Sequence, residues 1–133
     1  MVFNLSSILA VGMGGFVGAN LRFYTGLQIA KIFPHSIPFA TLCVNITGSF
    51  IIGVLIGLFT IFTPSDSLKL FLVTGFLGAL TTFSTFAIES FMLLQSQFWY
   101  GILNILLNVL GSVLAAAIGY KIIVSFIFTQ TAV

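Results

Sequence analysis

Long apolar stretches alternate along the chain with short breaks that are polar or contain proline. A helix needs about 20 apolar residues to cross one hydrocarbon core, so the pattern predicts four membrane-spanning helices joined by short connections. The predicted spans are 5–25, 38–62, 69–95 and 99–127. Residues 1–133 contain no internal repeat, which favours a single all-α, four-helix transmembrane domain. Either Asp66 or Ser67 is expected to cap the third helix.

The composition indicates an integral, multi-pass membrane protein. Hydrophobic residues make up 59% of the chain and charged residues only 5%, whereas soluble domains carry about 25% charged residues. Four basic and two acidic residues are too few for a nucleic-acid-binding patch, so the lipid bilayer is the expected surface partner. The first span is expected to be a retained helix and not a signal peptide.

The four cations divide evenly between the two ends of the predicted bundle. Lys69 and Lys121 fall on the side of the termini, and Arg22 and Lys31 fall on the opposite side. The positive-inside rule therefore gives no orientation. Two interpretations stay open: the charges are too few to interpret, or the chain inserts both ways and pairs as an antiparallel dimer.

Small residues recur at helical spacing in three spans, which predicts close helix contacts. The stripes are Gly14 and Gly18; Ser49, Gly53 and Gly57; and Gly111, Ala115 and Gly119.

The third span contains a run of glycines and hydroxyls between Gly75 and Phe86 that is unusual within a membrane. An unsatisfied polar group in hydrocarbon costs several kcal/mol, so the run is expected to face protein, water or an ion. Gly75, Gly78, Thr81 and Thr82 could break the helix and free carbonyl groups. Close glycine packing in an unbroken helix is the alternative.

Aromatic rings and polar side chains in three spans suggest a path for a small anion. Phe83 and Phe86 share a helix face, and their electropositive ring edges could act together with neighbouring hydroxyls; lipid-facing rings are the alternative. Polar side chains also form two rows at helical spacing, Thr41 and Asn45 in the second span and Asn104, Asn108 and Ser112 in the fourth. Glu89 adds a carboxylate in the third span. The amides could form either interhelical hydrogen bonds or a pore wall, and Glu89 is a candidate for proton or cation coupling.

No metal cluster, nucleophile with its base, or phosphate loop is recognisable in the sequence, so an enzyme is not expected. Three segments instead resemble the signatures of the CrcB/Fluc fluoride channel family. They are GGFVGANLRF at 14–23, ATLCVNITG at 40–48 and GFLGALTTFSTF at 75–86. The resemblance covers essentially the whole chain. It departs from the family pattern at Ala79, where glycine is frequent, and at Phe23, where Trp or Tyr is common.

This resemblance implies an antiparallel, dual-topology homodimer that exports fluoride passively across the cytoplasmic (inner) membrane of a prokaryote and confers fluoride resistance. Arg22 would serve the vestibule. Backbone carbonyls of Gly78 and Thr81 from both subunits would hold a structural sodium ion, and the third helix would be broken at mid-membrane. The expected fluoride pathway comprises Thr41, Asn45, Thr82, Phe83, Ser84, Phe86, Asn104, Asn108 and Ser112.

Two other functions fit the sequence less specifically. A small proton-coupled, dual-topology exporter would use Glu89 and would lose transport when that carboxylate is replaced. A structural or assembly protein would show no ion flux in vesicles.

Overall fold

The computed structural model describes residues 4–33 and 37–131, and within those ranges the regular structure is entirely helical. Helices α1 (Leu5–Ile32) and α2 (Phe39–Leu58) are continuous. Helix α3 begins with Asp66–Lys69, continues as the π-helical stretch Leu70–Leu77 and ends with Gly78–Leu80. Helices α4 (Phe83–Ser96) and α5 (Phe98–Thr131) complete the described chain.

Each of the four apolar stretches corresponds to one long helical segment, with α3 and α4 sharing the third. By length and composition, Phe39–Leu58, Asp66–Ser96 and Phe98–Thr129 can each cross a membrane. Helix α1 is 28 residues long but carries Asn20 and Arg22, and its membrane crossing stays a prediction. Positions 34–36 of the first predicted loop lie outside the described residues.

Side-chain caps begin α1, α3 and α4, and the cap of α4 lies at the helix break. The Asn4 carboxamide accepts a hydrogen bond from the Ser7 backbone N–H at 2.9 Å and starts α1. The Ser65 hydroxyl accepts from the Leu68 N–H at 3.3 Å and starts α3. The prediction that Asp66 or Ser67 caps this helix was wrong, because the extended backbone at Ser65 places its hydroxyl over the first turn.

Small residues allow α1 to contact α3 closely. Gly14 lies against the backbone of Phe71, and one turn later Gly18 lies against the carbonyl oxygen of Phe76. Both sets of contacts advance toward the C-terminus, so α1 and α3 run in the same direction. Any side chain at these two glycines would collide with backbone atoms.

A second close contact joins α2 to α5. Gly53 lies against the carbonyl oxygen of Ala116, and Gly57 lies one turn later against Ile123. These helices are therefore also parallel to each other, and the small-residue stripes predicted from the sequence are confirmed as helix contacts. The glycines bring α2 and α5 near enough for polar side chains on the two helices to meet.

The burial pattern is the reverse of that in a soluble protein. Val44, Leu77 and Leu80 form a small apolar core, while the Asn104 side chain is fully buried. Large apolar side chains remain exposed, for example Trp99 at 79%. Buried amides beneath an apolar surface are what a lipid environment requires.

The helix directions place two cations at each end of the bundle. Arg22 and Lys31 lie in the C-terminal half of α1, whereas Lys69 lies at the start of the parallel helix α3. Lys121 lies toward the C-terminal part of α5, which is at the same end as Lys69. The even division of charge that the sequence predicted therefore holds in the fold.

We predict that Gly53→Ala lowers the midpoint of thermal unfolding of the detergent-solubilised protein. The added methyl would collide with the Ala116 carbonyl, and such overpacking costs about 1–3 kcal/mol. Gly26→Ala is the matched control, because no described atom lies within 4 Å of a methyl at that helical position. Equal midpoints for the two variants would contradict the close contact.

Candidate functional site

The third long helical segment is interrupted between α3 and α4. The last helical hydrogen bond of α3 runs from the Thr81 N–H to the Leu77 carbonyl at 3.0 Å. Thr81 (φ −80°, ψ 156°) and Thr82 (φ −148°, ψ 110°) are then extended. The Thr82 hydroxyl starts α4 by accepting from the Thr85 N–H at 3.3 Å. The predicted helix break is confirmed, and the alternative of an unbroken helix is wrong.

The Asn45 side chain on α2 pairs with the interrupted backbone. The Thr82 N–H donates to Asn45 Oδ1 at 2.9 Å, and Asn45 Nδ2 donates to the Thr82 carbonyl at 3.3 Å. The Asn45 carboxamide therefore satisfies both the backbone N–H and the backbone carbonyl of Thr82. This matters because unpaired backbone groups away from water are costly.

A chain of hydrogen bonds continues from Asn45 into α5 and back to α4. Asn45 Nδ2 donates to Asn108 Oδ1 at 2.9 Å, and Asn108 Nδ2 donates at 3.1 Å to both the backbone and side-chain oxygens of Asn104. Asn104 Nδ2 donates to Ser90 Oγ at 2.9 Å. The Ser90 hydroxyl in turn donates to the Phe86 carbonyl at 2.7 Å.

Backbone groups at both ends fix the direction of this chain. The Thr82 N–H can only donate, so Asn45 must turn its oxygen toward it and its NH2 toward Asn108. The Phe86 carbonyl can only accept, so Ser90 must donate there and accept from Asn104. The three amides and the hydroxyl therefore have one orientation that satisfies every bond in the series.

A cavity of about 320 Å³ lies beside the helix break. The Phe83 and Phe86 rings meet there edge to face, with centroids 5.5 Å apart and planes inclined at 62°. Phe86 is buried, whereas Phe83 is 78% exposed on the single subunit. The described lining residues are Asn45, Ser49, Thr81, Thr82, Phe83, Phe86, Asn108, Val109, Ser112 and Val113. Amides, hydroxyls and ring edges line the cavity without a charged side chain among them.

The structure brings together most of the residues predicted for an anion pathway. Asn45, Thr82, Phe83, Phe86, Asn108 and Ser112 line the cavity. Three predicted pathway residues and the predicted vestibule residue do not: Asn104 is buried behind Asn108, Ser84 is exposed on α4, Thr41 lies one turn from Asn45 on α2, and Arg22 is on α1.

Glu89 pairs with a hydroxyl on α2. Thr41 Oγ1 donates to Glu89 Oε1 at 2.9 Å. The second oxygen, Oε2, is buried and has no hydrogen-bond partner among the described residues. Thr41 is thus engaged by Glu89, one turn from the Asn45 amide.

Ser90 was missed by the sequence analysis. It is buried at 4% exposure and links the α5 amides to the α4 backbone. The available signal was its position four residues after Phe86, which allows its hydroxyl to reach the Phe86 carbonyl. Serine makes this bond in many helices, so the spacing alone did not indicate a link to Asn104.

The extended backbone at the break changes the hydrogen bonding of the helical turn before it. The Thr82 N–H donates to Asn45, which takes this donor away from the Gly78 carbonyl one helical turn earlier. Gly78 is exposed on the subunit surface. Within the described ranges, no group of three His, Cys, Asp or Glu side chains could hold a metal ion. The sodium site predicted at the Gly78 and Thr81 carbonyls stays a prediction.

We predict that Asn45→Ala destabilises the protein strongly, since it leaves the Thr82 N–H and carbonyl without their partner. Each buried polar group left unpaired costs about 1–3 kcal/mol, so the midpoint of thermal unfolding should fall clearly. Asn20→Ala is the control, because the exposed Asn20 amide donates, among the described residues, only to the Phe16 carbonyl of its own helix. An equal, small effect of both substitutions would show that Asn45 does not stabilise the break.

A family model and several known proteins are similar to this chain, and they agree on its family. The family model described as CrcB-like protein, Camphor Resistance (CrcB), matches residues 9–120. The fluoride-specific ion channel FluC of Sulfurimonas denitrificans is 55% identical over 121 residues, covering 88% of this chain and 92% of that protein. FluC of Campylobacter jejuni is 49% identical over 119 residues, covering 89% and 98%. FluC of Nautilia profundicola is 44% identical, covering 86% and 91%. Because the family model matches residues 9–120 and these relatives are similar over most of their length, the chain belongs to the CrcB family.

Proposed function

We propose that this chain is a fluoride-specific ion channel that conducts fluoride passively out of the cytoplasm and so protects the cell. The observation that carries the proposal is the cavity beside the break, where the amides of Asn45 and Asn108 meet the rings of Phe83 and Phe86. Its relatives are named as fluoride-specific ion channels, which agrees with the prediction that the chain is not an enzyme. The comparisons do not support the proton-coupled exporter.

The lining chemistry suits a small, strongly hydrated anion. Conduction requires donors that replace water in succession without holding the ion too tightly. Amide N–H groups, hydroxyls and the electropositive edges of aromatic rings can do this. A fully charged side chain would bind the ion more strongly and slow its release.

The amide donors are already engaged with one another, which limits how tightly an ion binds. Asn45 donates to Thr82 and Asn108, and Asn108 donates to Asn104. A fluoride ion that accepts from one of these amides must therefore replace an existing hydrogen bond. The net gain is smaller than for a free donor, and the ion can move on.

A second, antiparallel copy of the chain is proposed to complete the site. Phe83 is 78% exposed on one subunit although it lines the cavity, so a partner surface is needed to enclose the path. Two cations lie at each end of the subunit, which gives both membrane orientations similar support from the positive-inside rule. These features favour a dual-topology homodimer in the cytoplasmic membrane of a prokaryote.

The remaining assignments are part of the same proposal. The carbonyls of Gly78 and Thr81 from both subunits would hold a structural sodium ion where the two breaks meet. Such an ion would neutralise the carbonyl dipoles and fix the subunits together. Ser84 and Thr41 would extend the hydroxyl path, and Arg22 would attract anions at the vestibule.

Fluoride efflux from liposomes tests the function directly. Purified protein is reconstituted into vesicles loaded with potassium fluoride, and efflux is followed with a fluoride electrode after addition of a potassium ionophore. We expect rapid fluoride release and no chloride release from matched chloride-loaded vesicles. Equal release of both anions, or none of fluoride, would overturn the proposed function.

Substitution of the aromatic pair tests the mechanism. We expect Phe83→Ile and Phe86→Ile each to reduce fluoride efflux by at least about tenfold, because an aliphatic side chain keeps most of the volume but lacks the ring edge. Phe16→Ile is the control, since Phe16 is 72% exposed on α1 and away from the cavity. Chromatography of each variant checks the oligomeric state. Unchanged efflux in both cavity variants would exclude the ring-edge mechanism.

A further inference from the structure

Ser90 occupies the end of the amide chain that is farthest from the helix break. Its hydroxyl accepts from Asn104 Nδ2 at 2.9 Å and donates to the Phe86 carbonyl at 2.7 Å. Both Ser90 and Asn104 are buried, at 4% and 0% exposure. Neither residue lines the cavity, so any effect on an ion must pass through the residues that do.

We propose that Ser90 is a positioning residue for fluoride conduction, acting through Asn104 on the donors that face the cavity. The inference rests on the proposed function. The Ser90 hydroxyl connects Asn104 on α5 to the backbone of Phe86. It therefore holds the amides of α5 at a fixed position relative to the Phe86 ring. The cavity donors and the ring edge are thereby kept at a fixed separation.

The physical basis is the direction of the hydrogen bonds. Ser90 gives its only proton to the Phe86 carbonyl, so it faces Asn104 as an acceptor and draws the Asn104 NH2 toward itself. The Asn104 side-chain oxygen then faces Asn108 and receives its NH2. Asn108 in turn presents its oxygen to Asn45. Ser90 therefore selects the orientation of Asn104 directly, while Asn45 and Asn108 are also held from the Thr82 end of the chain.

Loss of the hydroxyl removes this selection without removing the amides. The Asn104 NH2 would then lose its acceptor, and the bond from Asn108 Nδ2 would be left to hold the Asn104 carboxamide. Asn108 would still be held by the backbone carbonyl of Asn104 at 3.1 Å, so the cavity should persist with a less fixed donor arrangement. The expected result is slower conduction by a folded protein.

The experiment compares Ser90→Ala, Ser90→Thr and the wild type in liposomes at low protein density. At that density the efflux rate per active vesicle reports conduction, and the fraction of active vesicles reports how much protein is functional. Ser96→Ala is the matched control, because the exposed Ser96 hydroxyl makes the same type of bond to the Met92 carbonyl at 2.9 Å but has no link to the amides.

We expect Ser90→Ala to lower the rate per active vesicle by about tenfold, of the order that one lost hydrogen bond produces. Ser90→Thr should stay within about threefold of wild type because it keeps the hydroxyl. Ser96→Ala should match the wild type. A wild-type rate for Ser90→Ala, or an equal loss in Ser90→Thr, would overturn the inference.

A second comparison covers the case in which Ser90→Ala yields no folded protein. Asn104→Leu removes the amide with a side chain of similar size, and Ser90→Ala is then added to it. We expect the added substitution to leave the rate per active vesicle unchanged, since Ser90 acts through Asn104. A further drop would overturn the inference. Absence of fluoride efflux from the wild type would instead refute the proposed function, so the two failures are distinguishable.

Discussion

The pairing of the Asn45 carboxamide with the backbone of Thr82 is the interaction on which the rest of the site depends. A helix that breaks inside a membrane leaves peptide groups that water cannot reach. Asn45 supplies one acceptor and one donor to the same residue, at 2.9 and 3.3 Å, so the break is tolerated. Because α4 restarts immediately afterwards, this pairing also fixes where the Phe83 and Phe86 rings lie.

Close helix packing makes that pairing possible. Gly53 and Gly119 let α2 and α5 approach until backbone and small side chains touch, and the polar rows of these helices then meet α4. The polar groups are consequently buried together while large apolar side chains cover the outside. The same arrangement that satisfies the backbone also leaves a cavity lined by donors and ring edges, so stability of the break and the proposed conduction share one set of residues.

Much of this could be predicted from the sequence because membrane helices have strong local signals. Long apolar stretches gave the helical segments, small residues at helical spacing gave the contact faces, and the run of glycines and hydroxyls near Thr82 predicted the break.

Spacing shows which face a side chain occupies but not which partner it meets. Three contacts could not be predicted for this reason: the Thr41–Glu89 pair, the Ser90–Asn104 bond and the cap at Ser65. They depend on helix register and loop conformation, which do not follow from periodicity. The dimer and its sodium ion stay predictions.

The reversal potential of the reconstituted protein in a planar bilayer distinguishes a fluoride-selective path from a general anion path. The measurement uses a fluoride gradient across the membrane and equal chloride on both sides. If the path conducts fluoride and excludes the larger chloride, the zero-current potential lies at the fluoride equilibrium value. We expect that value, with no shift when a chloride gradient is added. A zero-current potential that follows chloride, or that lies at zero despite the fluoride gradient, would contradict it.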